Sequence, residues 1–361
     1  LCLMPWCAEN AIATANSPAG RLINLQFLLK STWTAALALT ALFGVAACGH
    51  DGATSSSFAA DSSHSAAAAQ PAFAAQQNSA EAALPPSQTG GFDGQAAYDF
   101  TAKLVAFGPR PPASDALHHT QDYILAQLKD FGCPVEQHDF HASTPVGDLA
   151  MKNITAKIPG SGSGLILLLT HYDTLRMDNF VGAVDGGSST GLMLEMARLL
   201  CAQKEKQPNS VWIVFLDGEE ALVNWYTNND NTYGSRELAA SLANSGDLKR
   251  VRAVLLADMV GPKNLKIRRD SNSTGWLADL VWKTAARLGY KDVFVGDSSP
   301  VDDDHTPFVQ RNVPSVDVID LPDYPYWHTT QDTMDKVSAR SLGIVGHVFL
   351  ESLAALQQKL R

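Results

Sequence analysis

An α/β fold is predicted, with a central, mostly parallel, twisted sheet flanked by helices on both faces. Two observations lead to it. Four near-continuously apolar runs of strand length, LILLLT (165–170), WIVFL (212–216), AVLLAD (253–258) and SVDVI (315–319), read as strands buried on both faces. Segments of helical periodicity stand between or after them: SSTGLMLEMARLLCAQ (188–203), YGSRELAASLANS (233–245), SNSTGWLADLVWKTAARLG (271–289) and SARSLGIVGHVFLESLAALQQKL (338–360). Strands alternating with helices of that length build a parallel sheet sandwiched between helical layers.

The elements ahead of that core follow from the same signals. DGQAAYDFTAKLVAFG (93–108) and SDALHHTQDYILAQLKDFG (114–132) read as helices closed by Gly108 and Gly132, with Pro109, Pro111 and Pro112 as the break between them. PVEQHDFHA (134–142) and MKNITAKIPG (151–160) alternate in polarity and predict a half-exposed pair of strands. GSGSG (160–164) precedes its strand and so is no dinucleotide fingerprint; a hairpin turn is its ordinary meaning.

The first 91 residues have a different character. Arg21 and Lys30 precede the apolar run TAALALTALFGVAAC (34–48), the pattern of an export signal, and Val45, Ala46 and Ala47 ahead of Cys48 form a lipobox. Residues 1–48 are therefore expected to be an export segment, leaving Cys48 as a lipidated N-terminus on a bacterial cell envelope. With Gly49 rather than Asp following, the outer membrane is the favoured destination, and soluble secretion is the alternative. An uncleaved anchor fits less well, since Ser31–Ala47 is at the short end of the ~17–25 residues a span needs. Residues 49–91, rich in Ala, Ser, Gln and Pro, lack the apolar surface to offset ordering entropy and are expected to form a disordered tether. Residues 92–361 then make a single catalytic domain.

A formal net charge of −10 and the absence of a Lys/Arg cluster interleaved with aromatics argue against a nucleic-acid partner. Of five cysteines, Cys133 and Cys201 belong to the domain. A bridge between them is permitted in an oxidising compartment, but the favoured reading is two unpaired, semi-buried cysteines.

The chemistry gathers where the apolar runs stop. LILLLT runs into His171 and Asp173, VWIVFLDGEEA (211–221) into Glu219 and Glu220, and AVLLAD ends on Asp258, while SVDVI leads to Trp327 and His328. Asp185 lies in the Gly-rich turn FVGAVDGG. Parallel strands present their carboxyl ends on one side of a sheet, so these residues are expected to converge. A set of His, Asp and Glu without cysteine suits zinc.

These motifs carry a specific resemblance. HYDT (171–174), FVGAVDG (180–186), FLDGEEA (215–221), Trp225 with YGSR (233–236), ADMVG (257–261), DDHTPF (303–308) and YWHTTQD (326–332) make the chain, from about Phe100 to Leu356, resemble the glutaminyl-peptide cyclotransferases (glutaminyl cyclases) within the zinc aminopeptidase-like clan. The resemblance implies a zinc-exopeptidase-like three-layer sandwich and cyclisation of N-terminal glutaminyl residues of peptides to pyroglutamate with release of ammonia. It implies one Zn2+ per chain held by Asp185, Glu220 and His328. Glu219 is the implied proton-transfer group, the strand-to-helix junction turning the adjacent glutamates in different directions, and Asp258 and Asp303 are acids networked with it. Trp225, in an Asn-rich loop, and Trp327 are the implied walls of the substrate pocket. Counted back from Trp327 without gaps, the position where the animal members carry a histidine in the active-site region is Asp317, which is expected at the pocket with an altered hydrogen-bond pattern. A monomer is expected.

Two other readings use the same residues. A dizinc aminopeptidase would let Asp185 bridge two metals, with His171 and Asp258 completing a second site. A non-catalytic peptide-binding lipoprotein would keep the scaffold and lose ligands or base, and none of them is missing.

Overall fold

The computed structural model of the protein describes residues 81–361. The export segment with Cys48 and the tether up to residue 80 lie outside the described residues.

Strands β1 (Val135–Thr144), β2 (Gly147–Ile158), β3 (Leu165–His171), β4 (Ser210–Leu216), β5 (Val251–Asp258) and β8 (Ser315–Ile319) form one sheet in the order β1-β2-β4-β3-β5-β8. β4, β3, β5 and β8 run parallel, and β1 and β2 add an antiparallel edge. The four apolar runs are thus the parallel core, as their composition requires. Ile166 and Leu168 face one apolar cluster, while Leu165, Leu167 and Leu169 face another on the opposite side. That split within one strand shows the sheet covered on both faces. Truncating a fully buried leucine such as Leu168 to alanine is worth about 2–5 kcal/mol.

Helices α1 (Gly94–Val105), α2 (Asp115–Asp130), α3 (Gly187–Cys201) and α7 (Ala339–Lys359) supply the first cluster, and α4 (Tyr233–Ser245) packs over the second. Capping side chains start three of them. Asp93 accepts from the Gln95 and Ala96 amides, Ser114 from Leu117 and Ser338 from Ser341. α5 (Gly275–Arg287) lies between β6 (Ile267–Asp270) and β7 (Phe294–Ser299), and the short α6 (Thr306–Val309) precedes β8.

Four details depart from the sequence reading. β6 and β7 pair as a separate two-stranded parallel sheet; IRRD and FVGDSS are too polar to announce strands. The GSGSG segment is not a hairpin turn, because β2 and β3 both pair with β4 and so lie on either side of it. The glycines cross that strand's start, where a Cβ on Gly160 would meet the Asn209 carbonyl carbon at 2.4 Å. Cys133 and Cys201 are joined in a disulfide, their Cα atoms 5.3 Å apart across 68 residues, which corrects the expectation of free thiols. The sequence neighbours of the two cysteines gave no sign that α3 brings its last residue beside the segment entering β1. Finally, packed chain begins before residue 92: Leu84 rests on the core, and the buried Thr89 hydroxyl donates to the Phe92 carbonyl at 2.6 Å.

Candidate functional site

The carboxyl ends of the parallel strands converge as expected. His171 closes β3, Asp258 closes β5, and Glu219 and Glu220 follow β4. Asp185 comes from the loop ahead of α3 and His328 from the loop after β8. Asp185, Glu219, Glu220, Asp258, Asp303 and His328 line one cavity of about 320 Å³, with Trp225 and Trp327 among its walls.

Two overlapping groups of metal-ligand type lie here, and Asp185 belongs to both. In the first, His328 Nε2 is 3.2 Å from Glu220 Oε2 and 3.5 Å from Asp185 Oδ2. In the second, His171 Nε2 is 2.9 Å from Asp258 Oδ1 and 3.4 Å from Asp185 Oδ1. The first group opens on the cavity through all three members. In the second, His171 is wholly buried and absent from the cavity wall, and Asp258 Oδ1 already accepts from the Met259 amide at 2.7 Å.

Local geometry is held under tension at these points. His328 has φ 52° and Met259 has φ 49°, the left-handed region that a non-glycine residue occupies only when its surroundings enforce it. Gly186 has φ 73°, and a Cβ there would meet the Asp173 carbonyl at 2.7 Å and His171 Cε1 at 2.9 Å, so the residue after Asp185 must be glycine. The Trp327 ring stacks on His328 at 4.2 Å between centroids.

Three buried carboxylates to which the sequence assigned no role hold the backbone of the site. Asp173 accepts from the Glu219 and Glu220 amides at 3.1 and 3.2 Å. Asp332 accepts from Val184 and Asp185 at 2.9 and 3.0 Å, and from the Tyr324 hydroxyl at 2.6 Å. Asp230 accepts from Leu222, Val223 and Asn224 at 3.2, 2.8 and 2.9 Å. Arg110 donates to the Val181 and Gly182 carbonyls of the loop that bears Asp185. Asp173 and Asp332 sit inside motifs visible in the sequence, HYDT and YWHTTQD, whereas nothing in the Asn-rich loop singles out Asp230.

The adjacent glutamates do not sit at a strand-to-helix junction. Helix α4 starts only at Tyr233, and Asp173 rather than a helix N-terminus orients the turn. Of the three consecutive acids, Asp303 is buried and on the cavity wall, Asp302 is exposed on that wall, and Asp304 is fully buried away from it. Asp317 is not a pocket residue. It is wholly buried on β8, its amide donates to Ser273 Oγ, and its carboxylate is 4.0 Å from His305 Nδ1. The five-residue strand is buried throughout, so both of its faces point into the interior.

Burial dominates the electrostatics. It holds the Glu219 carboxyl well above the usual range; nearby His171 opposes this, while Glu220, Asp303 and Asp304 add to it. Burial and then Asp185 push Glu220 up to about 7 against the pull of His328. Asp303 is raised well above its ordinary value by burial, then by Asp317, Asp258 and Asp304. So many carboxyls in one desolvated place cannot all ionise, and the group holds protons in common. For His171, burial works to lower its pKa, but Asp258, Glu219, Asp173 and Asp185 outweigh it and the imidazolium is favoured.

The first group fits a metal. Asp185 Oδ2 and Glu220 Oε1 are buried without a hydrogen-bond partner, which a cation would relieve. Two carboxylates and an imidazole suit zinc, and a zinc held by them would be open to a further ligand from the cavity.

Comparison with known proteins agrees with this geometry. Peptidase family M28 matches residues 153–353. The crystal structure of an Acidobacteriales bacterium glutaminyl cyclase superposes with a TM-score of 0.71 at 42% identity, covering 74% of this chain and 96% of that one. The glutaminyl cyclase of Porphyromonas gingivalis superposes with a TM-score of 0.68 at 31% identity, covering 73% and 98%. The glutaminyl-peptide cyclotransferase of Drosophila melanogaster is 29% identical over 265 residues, 65% of this chain and 75% of that protein.

Proposed function

The chain belongs to peptidase family M28 and, within it, to the glutaminyl cyclases, and from that premise we propose that it converts N-terminal glutaminyl residues of peptides to pyroglutamate with release of ammonia. The observation that supports this most directly is Glu219: a buried carboxyl on the cavity wall, adjacent in sequence to a residue of the metal-type group yet not part of that group.

Asp185, Glu220 and His328 would hold the zinc, which when bound supplies a Lewis acid for the γ-carbonyl oxygen of the glutamine. Glu219 accepts a proton from the substrate α-amine as that nitrogen attacks its own γ-carboxamide carbon. The C–N bond to the amide nitrogen then breaks, and Glu219 returns the proton so that ammonia leaves. One carboxyl can serve both transfers because its raised pKa brings it toward the working pH. Asp303 and Asp258 lie on the same wall, and the charge of Asp303 helps hold the Glu219 carboxyl above its ordinary range. Trp225 and Trp327 flank the aliphatic part of glutamine and keep water, the competing nucleophile, away.

The test is incubation of the zinc-loaded protein with Gln-Ala. Ammonia should appear, and the peptide should lose the corresponding mass without release of free amino acids. A dizinc aminopeptidase is the second reading, because His171, Asp185 and Asp258 lie within ligand distance of one another. Two zinc ions per chain together with free amino acids would establish it in place of the cyclase. The sealed position of His171 favours one.

Export with lipidation at Cys48 is supported by the sequence pattern alone. Replacing Cys48 by Ser should release the protein from membranes, and unchanged attachment would reject the anchor.

A further inference from the structure

Charge is divided along the strand direction. Four segments enter the parallel strands at their amino ends, and three of them are basic: KEKQPN (204–209) ahead of β4, GDLKRVR (246–252) into β5 and RNVP (311–314) ahead of β8. The fourth, PGSGSG (159–164) ahead of β3, is uncharged. The end of α7 joins them, because the Asn209 amide donates to Gln357 Oε1 at 2.8 Å and Asn209 Nδ2 to the Leu360 carbonyl at 3.3 Å, which brings Lys359 to the same end of the sheet. Seven cations stand there against two acids, in a chain whose formal net charge is −10.

Most of these cations are unmatched. Arg250 takes Asp247 at 2.8 Å, while Lys204, Lys206, Lys249, Arg252, Arg311 and Lys359 are exposed and have no ion pair among the described residues. An aromatic ring lies beside them. The Thr274 amide donates to the Ser315 carbonyl at 2.7 Å, which sets the start of α5 at the entry of β8; Trp276 is 38% exposed there, with Lys359 Nζ 5.5 Å from its ring centre. Asp279, one turn on, is neutralised by Arg269 at 2.6 Å. The opposite end of the strands is the reverse, since six acids and no Lys or Arg line the cavity. Arg252 and Asp258 lie on the one strand β5, roughly 20 Å apart at about 3.3 Å per residue, which is about two Debye lengths at 0.1 M salt. Neither end cancels the other.

We propose that the basic end docks on a surface of anionic phospholipid, with Trp276 entering the headgroup layer and the cavity turned outward to peptide in solution. Cations clustered about an exposed indole suit that surface twice over: they meet the lipid phosphates, and the amphipathic ring settles at headgroup level. Export, which the signal pattern supports, puts lipid and not nucleic acid within reach. The docking face takes its partner from that export reading and is independent of cyclase activity.

The experiment uses the full chain carrying C48S, which cannot be lipidated, and measures its co-sedimentation with phosphatidylcholine vesicles that contain or lack phosphatidylglycerol. The ratio of the two partitions cancels whatever is common to both vesicles. A cation near an anionic surface is worth about fivefold in partition, so K249Q/R252Q should lower the ratio about 25-fold. K263Q/R340Q removes the same charge from exposed positions beyond the carboxyl ends of the strands and should leave the ratio unchanged. W276A should lower it several-fold, and salt at about 0.5 M should abolish it. Equal losses in the two double variants, or a partition indifferent to phosphatidylglycerol, overturn the docking face. Tighter capture by a single-stranded DNA oligonucleotide, with the same dependence on Lys249 and Arg252, overturns lipid as the partner. The ratio is read without peptide substrate, so a failure of the cyclase reading leaves it standing.

Discussion

The two ligand groups that share Asp185 are nearly identical in chemistry and opposite in situation. Each has an imidazole and two carboxylates within coordination distance of one another. Asp185, Glu220 and His328 face a cavity and leave buried oxygen atoms without partners. His171 and Asp258 satisfy each other at 2.9 Å, and His171 has no face on the cavity. A ligand inventory therefore does not decide how many metals a site holds; solvent access and prior hydrogen bonding do.

Breaking the open group should have the largest effect. With E220Q, a charged ligand is lost, so zinc content measured after dialysis should fall well below one per chain and cyclisation should disappear with it. E219Q should lose about 10²–10⁴-fold in kcat while retaining its zinc, because none of the three ligands is touched. The division of labour fails if E219Q sheds metal and E220Q keeps it, or if E219Q turns over at near the parent rate.

Breaking the sealed group should act on folding rather than on metal count. H171A leaves the Asp258 carboxyl buried without its partner, a defect worth about 3–5 kcal/mol in denaturant unfolding. Zinc stoichiometry should stay at one, and a fall from two to one would reverse the comparison. D332N sharpens the contrast more gently. The Asp185 loop loses a carboxylate that grips two of its amides, and support of this kind is worth about 10–100-fold in metal affinity.

The last effect is expected at a carboxyl outside both groups and concerns stability rather than metal or turnover. Asp320 is pushed up to about 7, mainly by burial, while the Lys266 amide donates to its Oδ2 at 2.9 Å. A raised carboxyl holds its proton more tightly folded than unfolded. Its contribution to stability is therefore complete below the unfolded value near 4 and is lost as pH rises toward about 7. D320N should flatten that decline by at most about 1.4 kcal/mol per pH unit, read as unfolding free energy between pH 5 and about 8. A wild-type stability that does not fall across this interval would show that Asp320 ionises normally.

The sequence alone determined the layers and the ends. LILLLT, WIVFL and AVLLAD read as strands covered on both faces, because runs without polar alternation have no side to give to water. Since parallel strands share a polarity, the acids and histidines at their ends had to meet. Adjacent Glu219 and Glu220 were legible for that reason, whereas Asp185, Trp327 and His328 were legible through the motifs that carry the family resemblance. Only the tertiary structure decided matters that depend on what lies across a gap: the order β1-β2-β4-β3-β5-β8, the β6–β7 pair, the Cys133–Cys201 bridge, and the removal of Asp317 from the pocket. It alone also distinguished His171 from His328, and showed Asp173, Asp230 and Asp332 gripping the loops that carry the site. The physical reason is that periodicity records whether a side chain is buried, a property of the local chain. Which atoms bury it, and whether a polar group there is paired or open, is fixed by segments far away in sequence.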